Sequence, residues 1–133
     1  MQNKKNKMEL LIEELYNPTD YTEYVNPMDY FGELVKSHIE QTLRDLCNDL
    51  VLVSYIPSKS TKKYKSHISV LILHYYKEEK MLDASLSYSM TESIDKVYAD
   101  YLKLDNFNTL ICKICEKIID QYTTDLFKKF FKE

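Results

Sequence analysis

Two of the three cysteines have a spacing that serves redox and metal sites. Cys112 and Cys115 form a CxxC pair, but redox pairs lie at a helix N-terminus, whose dipole stabilises the thiolate. Here the pair falls inside a predicted helix, with Cys115 on the apolar face. Zinc needs two further ligands, and the chain has no second CxxC or suitably spaced histidine pair. We therefore interpret these thiols and Cys47 as structural residues and predict no metal or cofactor.

The histidines and acidic pairs do not form a recognisable catalytic set. His67 and His74 lie seven residues apart on one predicted strand, so they point to opposite faces. His38 flanks the apolar side of its helix. Pairs such as Glu78 and Glu79 lie in a turn, not in an apolar stretch that would raise a carboxyl pKa toward general-acid use. The sequence therefore predicts that the protein is not an enzyme.

Glycine is nearly absent. Gly32 is the single glycine in 133 residues, where average usage would supply roughly nine. Phosphate-binding loops, dinucleotide fingerprints and nucleophile elbows each need several glycines for close backbone approach or positive φ. These classes of nucleotide and hydrolase site are thereby excluded.

The charge of the chain is mildly acidic overall but basic in one predicted loop. The net charge of -3 gives no general attraction for nucleic acid, so such binding would have to be local. The best local patch is a loop of four lysines and one tyrosine that could stack on a base: Lys59, Lys62, Lys63, Tyr64 and Lys65. Binding of nucleic acid, namely double-stranded RNA, through this loop is the alternative functional hypothesis, and an unrecognised small enzyme is the third.

Aromatic residues point to a different kind of partner. Four of the twelve tyrosines crowd into a proline-interrupted acidic segment, and the last helix ends in three phenylalanines. Large rings with a polar handle are enriched at protein interfaces. The leading hypothesis is therefore a non-enzymatic protein-binding module, a small adaptor, inhibitor or assembly subunit, with a possible homodimer through 107–131. The predicted contact residues are Tyr16, Tyr21, Tyr24, Tyr30, Tyr122, Phe127, Phe130 and Phe131.

Hydrophobic periodicity supplies the elements that must position these residues. Apolar residues at helical spacing predict a short helix over 8–16 and a long one that begins at Asn26 and Pro27. β-branched runs predict strands over 50–56 and 67–76, the second central in the sheet. A four-residue turn at 77–80 then leads to an alternating strand over 82–90.

Two more helices complete the predicted order. Ser89 and Glu92 have capping-box spacing, and the helix after them has Tyr98 and Leu102 on its apolar face. An interruption at 105–108 precedes a last helix with a broad apolar stripe.

The predicted fold is α+β, a three-stranded antiparallel sheet packed by helices in the order α-α-β-β-β-α-α. Residues 1–7 are predicted to be a disordered basic N-terminus, and 8–133 a single domain. No run of about 18 apolar residues is present, which predicts no membrane span. The charged N-terminal stretch and three unpaired cysteines indicate a cytoplasmic protein.

The order of elements from Pro27 to Leu104 resembles the double-stranded-RNA-binding domain. Tyr64-Lys-Ser-His-Ile-Ser-Val70 is similar to the second strand of that family, and 85–99 to its third strand running into the closing helix. The resemblance implies that the loop at 57–63 is the one that enters a minor groove in RNA-binding members, and that lysines opening the closing helix grip phosphates.

The sequence departs from the family pattern at two places that matter for RNA binding. RNA-binding members carry Gly-Pro-x-His in this loop, of which only Pro57 remains here, and Thr91-Glu-Ser-Ile-Asp95 has acids where the family has lysines. The resemblance therefore implies a degenerate member that makes protein contacts in place of RNA contacts.

Overall fold

A computed structural model describes residues 10–11, 27–57 and 66–131. They form three helices and one sheet, in the order α1 (Pro27–Leu46), β1 (Leu50–Ile56), β2 (His67–Tyr76), β3 (Met81–Ser93), α2 (Ile94–Leu104) and α3 (Phe107–Phe130). This confirms the predicted α+β class and three-stranded antiparallel sheet. Most of the predicted helix at 8–16 lies outside the described residues; Leu10 and Leu11 are helical, and Leu11 is buried.

The sheet is a simple meander with β2 in the centre. β1 and β2 pair antiparallel from Leu50 opposite Leu73 to Ile56 opposite His67. β2 and β3 pair from His67 opposite Ser93 to Leu73 opposite Ser87. The central position of β2 is the one that its apolar sequence predicts.

A bulge in β3 overturns part of the predicted alternation. After Leu73 pairs with Ser87, His74 pairs with Asp83, so residues 84–86 have no partner on β2. The Asp83 carboxylate accepts hydrogen bonds from the backbone N–H and the hydroxyl of Ser85, at 2.9 and 2.6 Å. This local Asx-type turn makes room for the extra residues. Leu82, predicted to face the core, is consequently 45% exposed.

The start of α2 also differs from the prediction. β3 continues through Ser93, which is also the N-cap of α2: its hydroxyl accepts from the Lys96 N–H at 3.4 Å. The prediction of a capping box at Ser89 and Glu92 is wrong, because pairing with β2 keeps Ser89 to Ser93 extended. Leu102, predicted on the buried face of α2, is 44% exposed.

The two C-terminal helices are separated by two residues. Asp105 ends α2 in the left-handed conformation, and the Asn106 side chain caps α3 by accepting from the Thr109 N–H at 2.9 Å. Asp and Asn tolerate these positions because their short side chains bond to nearby backbone. The predicted interruption of the helix is confirmed here.

One face of the sheet carries the core. Alternate side chains of the strands pack beneath α1 and α3, and Phe31 of α1 lies at the centre, fully buried. Its ring contacts Tyr98, Tyr101 and Phe107, with centroids 5.3, 6.0 and 6.4 Å away. This aromatic cluster joins all three helices. The result is a two-layer domain with helices on the inner face of the sheet.

Gly32 has a packing role. A Cβ at this position of α1 would overlap the ring of Tyr55 on β1. The Tyr55 hydroxyl donates to the Asp29 carboxylate at 2.5 Å, one turn earlier on the same helix. The single glycine therefore lets α1 approach the sheet closely enough for the Tyr55 ring to contact the helix backbone at this position.

Candidate functional site

The outer face of the sheet, opposite the helices, is the most unusual surface of the described structure. Paired residues on neighbouring strands point to the same face of the sheet. The pairing therefore aligns four outward-pointing positions of each strand side by side, as a grid of three columns and four rows. β1 supplies Leu50, Leu52, Ser54 and Ile56, β2 supplies Leu73, Leu71, Ser69 and His67, and β3 supplies Ser87, Ser89, Thr91 and Ser93. None of these twelve is Asp, Glu, Lys or Arg, although 29% of the chain is charged.

The leucines of this grid form one block. Leu50 faces Leu73 and Leu52 faces Leu71 across the β1–β2 pair. Leu52 is 45% exposed, Ile56 is 44% exposed, and no described helix lies over them. Serine and threonine hydroxyls border the block on β3. We call this grid the outer face.

The exposed end of α3 supplies a second apolar area. Phe127, Phe130 and Phe131 are 62, 51 and 70% exposed. The rings of Phe127 and Phe131 lie 4.6 Å apart, centroid to centroid. The rest of the apolar stripe of α3 is internal, since residues such as Leu110 and Ile118 are buried against α1 and the sheet. The apolar surface available to a homodimer through 107–131 thus narrows to the C-terminal phenylalanines.

Tyr30 and Tyr122 belong to the core and not to a surface. They are 2 and 3% exposed, which corrects their place among the predicted partner-binding residues. Tyr30 faces inward because it lies on the same side of α1 as Phe31 and Leu34. Tyr16, Tyr21 and Tyr24 lie outside the described residues, as do Lys59, Lys62, Lys63, Tyr64 and Lys65 of the basic loop. The nucleic-acid hypothesis therefore stays a prediction.

A polar cluster near the bulged end of the sheet resembles a catalytic arrangement in composition. Asp49 accepts from the Tyr122 hydroxyl at 2.6 Å and from the Tyr75 N–H at 2.9 Å, and its Oδ1 lies 3.2 Å from His74 Nδ1. Burial, and then the hydrogen bond to Asp49, raise the pKa of Tyr122 far above its ordinary value. A neutral tyrosine donating to a carboxylate ties α3 to the sheet; it is not an activated nucleophile.

Two other tyrosine hydroxyls also lie against aspartate carboxylates. Tyr55 donates to Asp29, and burial followed by this hydrogen bond raises its pKa in the same way. Tyr76 lies 3.4 Å from Asp83 beside the bulge. Sequence reasoning missed these pairs because the partners are 26 and 7 residues apart, with no motif linking them. The hydroxyls of Tyr55, Tyr76 and Tyr122 therefore help to hold helices and strands together.

Of the three cysteines, Cys115 lies in the core, as the sequence predicts. Cys115 is fully buried, and desolvation raises the pKa of its thiol to about 12. Cys112 is exposed on the other side of the helix, and Cys47 is half-buried after the end of α1. The buried Cys115 thiol, with its raised pKa, is a poor nucleophile. Across residues 10–11, 27–57 and 66–131, no three His, Cys, Asp or Glu side chains are placed to hold a metal ion.

None of the helices within the described part of the chain has the length and apolarity required to cross a bilayer. The order α1-β1-β2-β3-α2 is the one found in double-stranded-RNA-binding domains, but order alone does not establish kinship, and that resemblance stays a prediction. Comparison of the chain with known protein families, with characterised proteins and with solved structures finds no match.

Proposed function

We propose that this chain is a non-enzymatic protein-binding module, an adaptor, inhibitor or assembly subunit, whose main docking surface is the outer face. The observation that carries the proposal is the grid of twelve outward strand positions without a charged side chain. An antiparallel sheet face that meets only water normally carries polar and charged residues. A block of leucines at one end of the β1–β2 pair favours a partner that removes these side chains from water.

The energy available from this block is sufficient to matter. Fully burying a leucine side chain contributes about 1.5–3 kcal/mol relative to leaving it exposed. Part of this burial energy is still available at the four leucines, because each side chain is exposed or half-buried: Leu50, Leu52, Leu71 and Leu73. A partner with a matching apolar surface therefore gains several kcal/mol, and the absence of charge on the grid spares it the desolvation of buried ions. The bordering hydroxyls can bond to a polar rim.

A second copy of the chain presents such a surface by definition. Two outer faces related by a two-fold axis would place leucine on leucine and hydroxyl on hydroxyl. The C-terminal phenylalanines support the same class of function as a further contact area. The proposal is therefore a protein interface, formed with another copy or with a different protein of similar surface.

The experiment compares two variants with the same chemical change at equally exposed positions. Leu52→Lys places a charge in the leucine block, whereas Leu102→Lys places one on the solvent side of α2; these leucines are 45 and 44% exposed. Sedimentation velocity over a wide concentration range measures self-association of each. A photo-crosslinking residue at position 52 or 102 then captures direct contacts in extracts of the source cells.

The proposal predicts association or crosslinking that Leu52→Lys abolishes and Leu102→Lys leaves intact. A chain that stays monomeric at every concentration, and that crosslinks no more from position 52 than from 102, would contradict it. Turnover of a small-molecule substrate by that monomer would favour an enzyme.

A further inference from the structure

A second feature lies on the opposite side of the sheet, where α2 and α3 diverge over the ends of β2 and β3. They leave an open cleft of about 320 Å³. Its interior is apolar and reaches the core, with four side chains that are only 1–3% exposed and three that are half-buried. The lining residues are Ile39, Ile68, Val97 and Leu110 below, and Met90, Leu104 and Ile114 at the sides.

The rim of this cleft is positively charged. Four lysines and two acids line it, Lys96, Lys103, Lys113, Lys117, Glu92 and Asp100, which leaves a formal charge of +2. Lys96 is occupied by an ion pair with Glu92 at 3.1 Å. Lys103, Lys113 and Lys117 have no ion pair within the described part of the structure.

Two of those lysines repel each other. Lys113 and Lys117 are one turn apart on α3, and like charges at that spacing destabilise a helix by a few tenths of a kcal/mol. Both border the cleft at the same wall. An anion between them and Lys103 would remove the repulsion and form charge-assisted bonds. The rim is thus complementary to a negative group located directly above an apolar interior.

We propose that the cleft binds a small amphiphilic anion, a carboxylate with an aliphatic tail. The tail lies against Val97, Leu110 and Ile114, and the carboxylate lies among Lys103, Lys113 and Lys117. The volume is at the lower end of the range for small-molecule sites, about 300–1,000 Å³, so a medium-chain tail fits and a large ligand does not. A cation is disfavoured by the rim, and a neutral alcohol gains nothing from it.

This proposal is independent of the protein-binding function. The cleft lies on the helix side of the sheet, because Ile68 belongs to the inner face, whereas the proposed docking surface is the outer face. Loss of one therefore leaves the other intact.

Decanoate is the test ligand, and decyltrimethylammonium and decanol are matched probes with the same tail and a different head, all below their micelle concentrations. Calorimetry measures affinity, and methyl NMR shifts of Val97, Leu104, Leu110 and Ile114 locate the ligand. We expect decanoate to bind at least tenfold more tightly than either probe, with shifts confined to the cleft.

Charge variants separate the cleft from general lysine content. Lys113→Gln with Lys117→Gln is expected to weaken decanoate binding about tenfold, from two surface ion pairs. Lys77→Gln with Lys80→Gln removes the same charge from the exposed β2–β3 turn and is expected to change nothing. Circular dichroism checks the fold of each variant.

Three outcomes would overturn the assignment. They are no binding of decanoate, equal binding of the cationic probe, or equal weakening by the two lysine pairs. Shifts at Leu52 and Leu71 in place of the cleft methyls would likewise show that the tail binds the outer face.

Discussion

Both faces of the sheet carry apolar side chains, nearly throughout the inner face and as a block of leucines on the outer face, but the described helices cover only the inner one. On the inner face, Val53, Val70 and Ile72 are covered by α1 and α3 and are at most 5% exposed. On the outer face, Leu52 and Ile56 of the same sheet are close to half exposed. The presence of apolar residues on a sheet face therefore does not by itself tell whether helices of the same chain cover that face. The difference lies in what accompanies them, since the inner face has helices and the outer face has neighbours without charge.

The largest expected contrast is between one truncation on each face. Ile72→Ala leaves a cavity under α1 and α3 and should lower the free energy of unfolding by about 2–5 kcal/mol. Leu52→Ala removes a side chain that is already 45% exposed and should cost less than about 1 kcal/mol in the monomer. Urea unfolding, at a concentration where sedimentation shows monomer, measures both. Equal losses would show that the outer face is part of the folding core.

The tie between α3 and the sheet should show the next largest effect. Tyr122→Phe removes the 2.6 Å hydrogen bond to Asp49, and bonds to charged groups contribute about 1.5–3 kcal/mol. Tyr88→Phe, which loses only a 3.3 Å contact with Gln121 at the surface, is the matched control and should cost under about 1 kcal/mol. Thermal and urea unfolding measure the stability of both variants. An equal loss of stability in Tyr88→Phe would contradict the proposed role of the Tyr122 hydrogen bond.

Gly32→Ala tests how closely α1 approaches the inner face. Overpacking against the Tyr55 ring costs about 1–3 kcal/mol, partly offset by about 1 kcal/mol of helix propensity. A net loss of up to about 2 kcal/mol is expected from urea unfolding. Ser37→Ala, on the exposed side of the same helix, should be neutral or slightly stabilising. A stabilised Gly32→Ala variant would show that Tyr55 moves freely.

The smallest effect is a dependence of stability on alkaline pH. The folded pKa values of Tyr55 and Tyr122 are raised, by burial and then by their aspartate partners. Their contribution is therefore complete below the unfolded tyrosine pKa of about 10 and is lost as pH rises from there toward the folded values. The free energy of unfolding should fall above about pH 10, and less steeply in Tyr122→Phe. Identical slopes in the two proteins would refute this linkage.

Most of the elements could be predicted from the sequence because they depend on local patterns. The periodicity after Pro27, the β-branched run at 50–56 and the turn at 77–80 each specify a structure within a few residues. The errors at Ser89 and Leu82 have one origin, which is strand pairing. Pairing with β2 keeps Ser89 to Ser93 extended and leaves 84–86 unpaired in a bulge. Asp83 is a residue type that forms turns, but the local sequence does not specify the register of the pairing.

The candidate sites were less predictable because they join distant residues. The sequence predicts Tyr30 and Tyr122 at an interface, whereas the fold buries them. It did not single out Leu52 or Leu71, whose shared face depends on register. The lysines of the cleft come from two helices that meet only after packing. Lys103 and Lys113 are ten residues apart and lie on different helices, separated by Asp105 and Asn106. Helical spacing therefore cannot predict that their side chains border one cleft.

The sequence by itself determined the fold class, the order of the elements and the exclusion of glycine-rich phosphate sites, since these depend on composition and on periods of 2 and 3.6 residues. Only the tertiary structure decided which face of the sheet is covered, which tyrosines become ties, and where lysines surround an apolar cleft. The physical reason is that a period states which residues share a face, whereas coverage of that face depends on helices contributed from far along the chain.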